Sequence, residues 1–315
     1  MKKVFKTLAL FLVLLLILAA GSIWFYLNKI PREAVKPFQG TEDPAVLTEN
    51  HIPTNTNSLG TSKEALASLQ AKKNYKKVTN ILVLGIDSSN GSGRSDAMML
   101  VSVDSSTRQI KLTSLIRDSY VYIAGNGMDK LNHAYAFGGP SLALRAVNTN
   151  FDLDVQDFVT VNFSSTKSIV DALGGLNLKL SKEEAKIIGA PGEGVQHLNG
   201  TQVLNYARIR KIDNDFQRTS RQRNVMTAVL QDLMKLGPIE KAKAAEHLLP
   251  MVKTSLSNSK ILGLGSSMLM GGYSIEENSF PEDDTSQGVL IKDIYYLKWN
   301  QQETIRKMHA FIYNE

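Results

Sequence analysis

The chain has 315 residues, 43% of them hydrophobic, with 36 Lys and Arg against 30 Asp and Glu for a net charge of +6. That length and apolar content support a sizeable core in one or two domains, and the mild basic excess suits a polyanionic partner without identifying one. It contains no cysteine, which excludes disulfides and thiolate metal sites.

The first 28 residues point to a membrane. Lys2, Lys3 and Lys6 precede an uncharged run over residues 7–28, "TLALFLVLLLILAAGSIWFYLN", about the ~20 residues that cross a hydrocarbon core as a helix. Trp24 and Tyr26 stand near its far end, where amphipathic rings favour the interface. Three cations before the run against Lys29 and Arg32 after it predict an N-terminus in the cytoplasm, a single pass and an extracellular body. The run exceeds the ~7–15 residues of a signal-peptide core and has no lipobox cysteine, so it is read as an uncleaved anchor in the cell membrane. Residues 29–77 are polar, weakly periodic and punctuated by Pro31, Pro37, Pro44 and Pro53. They are expected to form an extracellular stalk with at most one short helix.

The body is expected over residues 78–315. "VTNILVLGID" is an apolar run closed by Gly85 and Asp87, as for a strand buried on both faces. "AMMLVSVD" and "QIKLTSLIRD" read as further strands, and the Met98–Met99 pair as core. "GGPSLALRAVNTNF" is helical with Pro140 near a start. "DFVTVNF" is a strand, and "SSTKSIVDALGGLNLKL" is a helix, a Gly-Gly stop and a strand. Thr201 is expected to cap a short helix in "HLNGTQVLNYARIR", and a long amphipathic helix follows in "DFQRTSRQRNVMTAVLQDLMKLG". One or two helices, a strand "GVLIKDIYYLKW" and a terminal helix complete the chain. Strands alternating with helices imply an α/β layer architecture.

Ligands of open α/β sheets sit beyond the carboxyl ends of strands. Asp87 and Arg117 fall at such ends, with Arg94 and Asp96 in the "GSGRSD" loop between. Two carboxylates ~4 Å apart repel by ~4 kcal/mol at an effective dielectric of ~20, and a hard cation turns that repulsion into attraction. Asp87 and Asp96 are therefore candidate ligands of Mg²⁺, or of Mn²⁺ in its place. A second cluster, "NYARIRKIDNDFQRTSRQRN", carries Arg208, Arg210, Lys211, Arg218, Arg221 and Arg223. Arg208 and Arg210 share a face if extended, and Arg218, Arg221 and Gln222 share a helix face. The planar guanidinium matches phosphate oxygens in pairs, and the helix start adds free N–H groups. Together these parts describe a diphosphate site, where positioning and electrostatics carry phosphoryl transfer. The spacing does not separate metal ligand from general base at Asp87 and Asp96. Each cluster also has a plainer reading, as a surface turn and a solvated basic face. His133 reads as a hydrogen-bonded structural residue and Asp171 as a residue that caps or packs structurally.

"NILVLGID", "GRSDAMMLVSVD", "QIKLTSLIRDSYV", "DKLNHAYAFGG", "VDALGG", "HLNGTQVLNYARIR" and "DFQRTSRQRN", in that order over residues 78–236, resemble the LytR–CpsA–Psr family of cell-wall enzymes. The resemblance implies a three-layer α/β/α sandwich with a central, mostly buried mixed sheet and an apolar tunnel for a lipid tail. It implies a phosphotransferase that moves a glycopolymer of the teichoic acid or capsular polysaccharide type from a polyprenyl diphosphate carrier to peptidoglycan. By the same resemblance Asp87 and Asp96 organise Mg²⁺, Arg94, Arg117, Arg208 and Arg210 contact the diphosphate, and Arg218, Arg221 and Gln222 match polar residues at the helix start. The loop after Asp87, "SSNGSG", departs from the family in being short and uncharged. Candidate tunnel segments are "VDALGGLNLKL", "NVMTAVLQDLM" and "SLALRAVNTNF". The alternatives are a diphosphate hydrolase at the same site, a non-catalytic polymer binder and a membrane-bound transcriptional attenuator. Only six residues precede the apolar run, too few for a nucleic-acid-binding domain, so no nucleic-acid partner is expected.

Overall fold

A computed structural model describes residues 27–86, 93–209, 215–269 and 272–314, with backbone alone at 96, 163–164, 215–219, 238, 242, 245 and 269. Among the described residues no helix is long and apolar enough to cross a membrane. The expected span, but for its last two residues, lies outside them.

The segment expected to be a stalk is instead part of the body. It holds two helices, α1 (Pro44–Glu49) and α2 (Lys63–Ala71). Leu47, Ile52 and Leu69 are buried in the main core, with Val35, Phe38 and Leu59 packed against it. At ~1.5–3 kcal/mol for each fully buried side chain, the first three alone contribute several kcal/mol of gross stabilisation. Arg145 donates to the Asn57 carbonyl at 3.2 Å and pairs with Glu42 at 3.3 Å, while Thr149 Oγ1 donates to the Gly60 carbonyl at 3.0 Å. Prolines and polar residues made the segment look like a linker. Its sparse apolar residues and its backbone carbonyls find partners more than eighty residues away.

Strands β1 (Val78–Ile86), β2 (Ser95–Asp104) and β3 (Gln109–Leu115) form an antiparallel meander. A hairpin that the sequence reading did not anticipate follows, β4 (Tyr120–Ile123) and β5 (Gly127–Lys130). Helix α3 (His133–Phe151) is kinked at Gly138 and Gly139, the latter at φ +65°, and restarts at Pro140. Strand β6 (Asp157–Asn162) runs parallel to β1. A satellite unit comprises α4 (Phe163–Ala172), β7 (Leu176–Leu180), α5 (Lys182–Ile188), β8 (Gly194–Leu198) and α6 (Gly200–Ala207). The cap of α6 is Asn199 rather than Thr201. Its side chain accepts from Gln202 N while the Gln202 side chain accepts from Asn199 N. Asp171 does act as a cap, accepting from Gly200 N at 2.8 Å. A Cβ at Gly200 would lie 2.3 Å from the Lys167 carbonyl, so glycine alone fits there.

Helix α7 (Asp215–Lys235) crosses the sheet, followed by α8 (Pro238–Leu248), the short strand β9 (Val252–Thr254) and α9 (Asn258–Leu269). Strand β10 (Ser274–Phe280) adds to the β3 edge. The stretch expected as one strand is a hairpin, β11 (Ser286–Ile291) and β12 (Ile294–Trp299), turning at Lys292 and Asp293 with φ +50° and +64°. Helix α10 (Gln301–Tyr313) ends the chain.

The six-stranded mixed sheet has the order β10-β3-β2-β1-β6-β9. Its strands alternate between two interiors, because successive side chains point to opposite faces. Leu82, Leu84, Met98 and Leu100 enter the core beneath α3 and α10. Val83, Met99, Val101 and Val103 face the layer of α7 and α9. The sheet therefore lies between two helical layers, and both faces are apolar.

Candidate active site

The pairing register brings the sequence motifs to one edge. Ile86 pairs with Ser95 and with Asn162, and Leu115 pairs with Met98 and Phe280. Hence β1, β3, β6 and β10 all end, and β2 begins, on the same side of the sheet. Gly85 pairs with Ala97 while Ile86 pairs with Ser95, leaving Asp96 as the extra residue of a β-bulge. Bulges of this kind interrupt the ladder and are enriched beside active sites. Asp87 follows the last residue of β1 in sequence and lies outside the described residues, as do Arg210 and the side chains of Asp96 and Arg218.

Arg117 follows β3 and is buried. Its Nε donates to Asp118 Oδ2 at 3.3 Å, and Asp118 Oδ1 accepts from Lys130 Nζ at 2.7 Å. One carboxylate thus holds two cations, which keeps a positive pair near the edge at reduced mutual repulsion. The loop is fixed by backbone bonds from Asn132 N to the Arg117 carbonyl, at 3.1 Å, and from Leu297 N to the Asp118 carbonyl, at 2.9 Å. Arg94 is exposed at the mouth of β2, with Nη1 3.4 Å from His133 Nε2. His133 Nδ1 lies 2.8 Å from Asp129 Oδ2. A guanidinium only donates, so His133 Nε2 accepts from it and Nδ1 donates to Asp129. Tyr296 donates to the other oxygen of Asp129 at 3.4 Å, and burial together with the Asp129 charge raises its phenol above the ordinary value. Asp118, Asp129 and Lys130 were not among the sequence candidates, and His133 was read as structural. The "DKLNHAYAFGG" motif carried the signal, but contact between its residues and Arg94 or Arg117 depends on the unforeseen β4–β5 hairpin.

Arg208 is exposed at the C-cap of α6. Arg221 is buried, with Nη1 3.2 Å from Glu184 Oε1 and Nη2 donating to the Ile209 carbonyl at 3.0 Å, so two of its nitrogens already hold α7 against the satellite unit. Gln222 is also buried, at the rim of an apolar cavity. Among the described residues, the buried oxygens Ser95 Oγ, Asn132 Oδ1 and Gln222 Oε1 have no hydrogen-bond partner. Buried polar atoms in folded proteins are nearly always paired, so these three oxygens keep unused hydrogen-bonding capacity within the site motifs.

Behind this edge lies a cavity of about 510 Å³, between the sheet and α7, α8 and α9. Its floor includes Ile81, Val83, Gly85 and Val101, and its wall includes Val225, Met226, Val229, Leu230, Leu233 and Met234 of α7. These six, with Gln222, follow the three-and-four spacing of one helix face. Of the three segments expected to line a tunnel, "NVMTAVLQDLM" does so. Leu142, Leu144 and Val147 instead belong to the core on the opposite face, and Val170, Leu176 and Leu178 to the satellite core.

Among the described residues no group of three His, Cys, Asp or Glu side chains forms a metal site. Both ring nitrogens of His133 are engaged by Arg94 and Asp129, the chain has no thiol, and the two aspartates of the motifs offer oxygen donors. Asp87 and Asp96 each follow, in sequence, one member of the backbone pair Ile86–Ser95. That donor chemistry fits a hard, partly hydrated divalent cation.

The description "LytR_cpsA_psr family" matches residues 47–310. A polyisoprenyl-teichoic acid–peptidoglycan teichoic acid transferase TagU of Oceanobacillus iheyensis is 30% identical over 310 residues, covering 94% of this chain and 89% of the relative. That of Halalkalibacterium halodurans is 31% identical over 82% of this chain and 84% of its own. Among solved structures, TagT bound to LIIa-WTA superposes with a TM-score of 0.63 at 28% identity, over 76% of this chain and 91% of the other. The LytR-CPS2A-psr family protein YwtF (TagT) with bound octaprenyl pyrophosphate lipid gives 0.59 at 27% identity, over 75% and 91%. A match through the strands, the basic edge and the cavity-lining helices makes this chain a member of the LytR–CpsA–Psr family.

Proposed function

We propose that this chain is a glycopolymer transferase that moves a teichoic acid-type polymer from a polyprenyl diphosphate carrier to peptidoglycan. The observation that carries the reading is the junction of a charged edge with an apolar cavity of about 510 Å³. A diphosphate-linked lipid has that same division, and no water-soluble phosphate ester requires the second part. The relatives named for teichoic acid transfer, and the neighbour with a bound octaprenyl pyrophosphate, support it.

In this reading Arg94, Arg117, Arg208, Arg210 and Arg218 face the diphosphate, with Gln222 at the boundary of head and tail. Arg221 serves first to hold the start of α7. An acceptor hydroxyl of the peptidoglycan glycan attacks the phosphorus that carries the polymer. The new O–P bond forms as the bond to the bridging oxygen breaks, and polyprenyl phosphate leaves with that oxygen. The hydroxyl proton passes to Asp87 or Asp96, or to solvent. Guanidinium groups fixed before the reaction stabilise charge on the leaving phosphate without reorganising, the effect that supplies much of phosphoryl-transfer catalysis. Asp87 and Asp96 would hold Mg²⁺ or Mn²⁺, which when bound neutralises diphosphate charge. His133, held by Asp129, orients Arg94, and Asp118 keeps Arg117 and Lys130 side by side.

The catalytic body stands outside the cell, anchored through residues 7–28, because both the carrier and the acceptor are reached there. Incubating the full chain with a lipid-linked teichoic acid precursor, peptidoglycan oligomers and Mg²⁺ should yield the polymer–peptidoglycan conjugate by mass. Free phosphorylated polymer as the sole product would replace transfer with hydrolysis.

A further inference from the structure

The roof of the cavity has an outer surface that the transferase reading does not explain. In α9 the stretch "ILGLGSSML", residues 261–269, carries no charge. None of residues 261–268 is buried. Ile261, Leu264, Gly265 and Met268 line the cavity, while Leu262 points away and is 46% exposed. At the start of α8, Ile239 is 68% exposed. A Cβ built at Gly263 or Gly265 would meet nothing within 4 Å, so α9 is not closely packed on those sides. A helix with apolar groups on both its inner and outer faces pays a hydration cost in water that an apolar medium removes.

The chain path says which medium. Arg32 forms a parallel bridge with Thr254 of β9. Thr254 N donates to the Pro31 carbonyl and Glu33 N to the Thr254 carbonyl, each at 3.1 Å, and Glu33 pairs with Lys253 at 3.0 Å. The Arg32 guanidinium also donates to the Leu256 carbonyl and to Asn258 Oδ1 at the start of α9. Thr254 and Leu256 themselves line the cavity. Asn28 ends the uncharged run, and the four residue steps from there to Arg32 reach at most ~14 Å. With the run in a bilayer, the β9–α9 wall is therefore tied to within ~14 Å of its surface. No stalk intervenes.

We propose that the outer face of α9, together with Ile239 of α8, rests in the interfacial layer of the bilayer, so that an apolar tail passes between membrane and cavity beside this helix. The proposal rests on the membrane-anchored reading above. Its test uses the absence of native cysteine. The full chain is reconstituted in phosphatidylglycerol–phosphatidylcholine vesicles with a single environment-sensitive fluorophore on Ile239→Cys or Leu262→Cys. Val195→Cys and Leu290→Cys are the comparison sites, since both residues are aliphatics at least as exposed as Ile239 and Leu262 and lie away from the roof, and Leu16→Cys reports the anchor. Labels at 239 and 262 are expected to shift to the blue and to be quenched by shallow spin-labelled lipids several-fold more than labels at 195 and 290. Deep quenching at 16 with aqueous behaviour at 239 and 262 would overturn the docking face while leaving the anchor intact. No quenching at 16 would remove the anchor, and the labels at 239 and 262 would then decide docking alone. A blue shift that ignores the lipid quenchers and grows with protein density would assign the face to a second copy of the chain and overturn the proposal.

Discussion

Val83→Phe separates the role of the cavity from that of the charged edge. Val83 stands in the middle of β1, on the cavity floor and between the buried residues Leu82 and Leu84 of the opposite core. Phenylalanine adds about four carbon atoms to a space of about 510 Å³, and aromatic residues suit strands. Overpacking a filled core costs ~1–3 kcal/mol, but here the added ring enters open volume, so the urea midpoint should hold or rise. A prenyl chain excluded from the same volume loses the burial of about four methylene equivalents, ~3 kcal/mol at ~0.8 kcal/mol each. That corresponds to a roughly 150-fold rise in Kd. Competition against a fluorescent long-chain polyprenyl diphosphate measures it, with inorganic diphosphate titrated in parallel. The long-chain ligand should weaken and the inorganic one should not. Equal loss for both, or none for either, would refute the assignment of the tail to this cavity.

Other consequences concern the edge and the frame that holds it. Arg117→Lys keeps the charge but loses the planar fork, and should lower kcat/KM for transfer by about 10²–10³, the range seen when one charge-stabilising donor is lost, with a circular dichroism spectrum unchanged. Asp96→Asn should abolish transfer and any stimulation by added Mg²⁺, while equilibrium binding of the prenyl diphosphate persists. Gly200→Ala drives a methyl into the Lys167 carbonyl 2.3 Å away and should destabilise the fold by ~1–3 kcal/mol in urea titrations. Asp104 is buried, which opposes ionisation, yet hydrogen bonds from Ser106 and Thr107 outweigh burial and hold its carboxyl below the ordinary value. A lowered carboxylate stabilises the fold above its unfolded value and loses that contribution as pH falls through the folded one. Asp104→Asn should therefore cost ~1–3 kcal/mol at neutral pH, and the difference from the parent should shrink on acidification below about pH 4.

The central strands and the site edge were legible because both have local signatures. Runs such as "ILVLGI" carry no polar side chain, as a strand covered on both faces requires, Asp87 and Arg117 stand where such runs stop, and Arg94 stands just before one starts. What could not be read depends on distant partners. Nothing local in "SIEENSF" marks a strand, because β10 pairs only with β3 and carries the polar side chains an edge tolerates. The hairpin at Lys292 and Asp293 lacks the Asn-Gly or Asp-Gly that announces a two-residue turn. Helical spacing shows which residues of "SLALRAV" share a face, but not that α3 lies on the side of the sheet away from the cavity. The stalk was misread for the same reason, since Glu42 and Arg145 are 103 residues apart and only the fold joins them.

Photo-crosslinking the wild-type chain with a polyprenyl diphosphate that bears a diazirine in its tail locates the ligand directly. Adducts should map to the cavity-lining residues of α7 and β1, Met226, Leu230 and Val83 among them, and excess unlabelled ligand should suppress them. Adducts confined to the core beneath α3, or scattered over the surface without competition, would contradict a lipid carrier held with its diphosphate at the arginine edge.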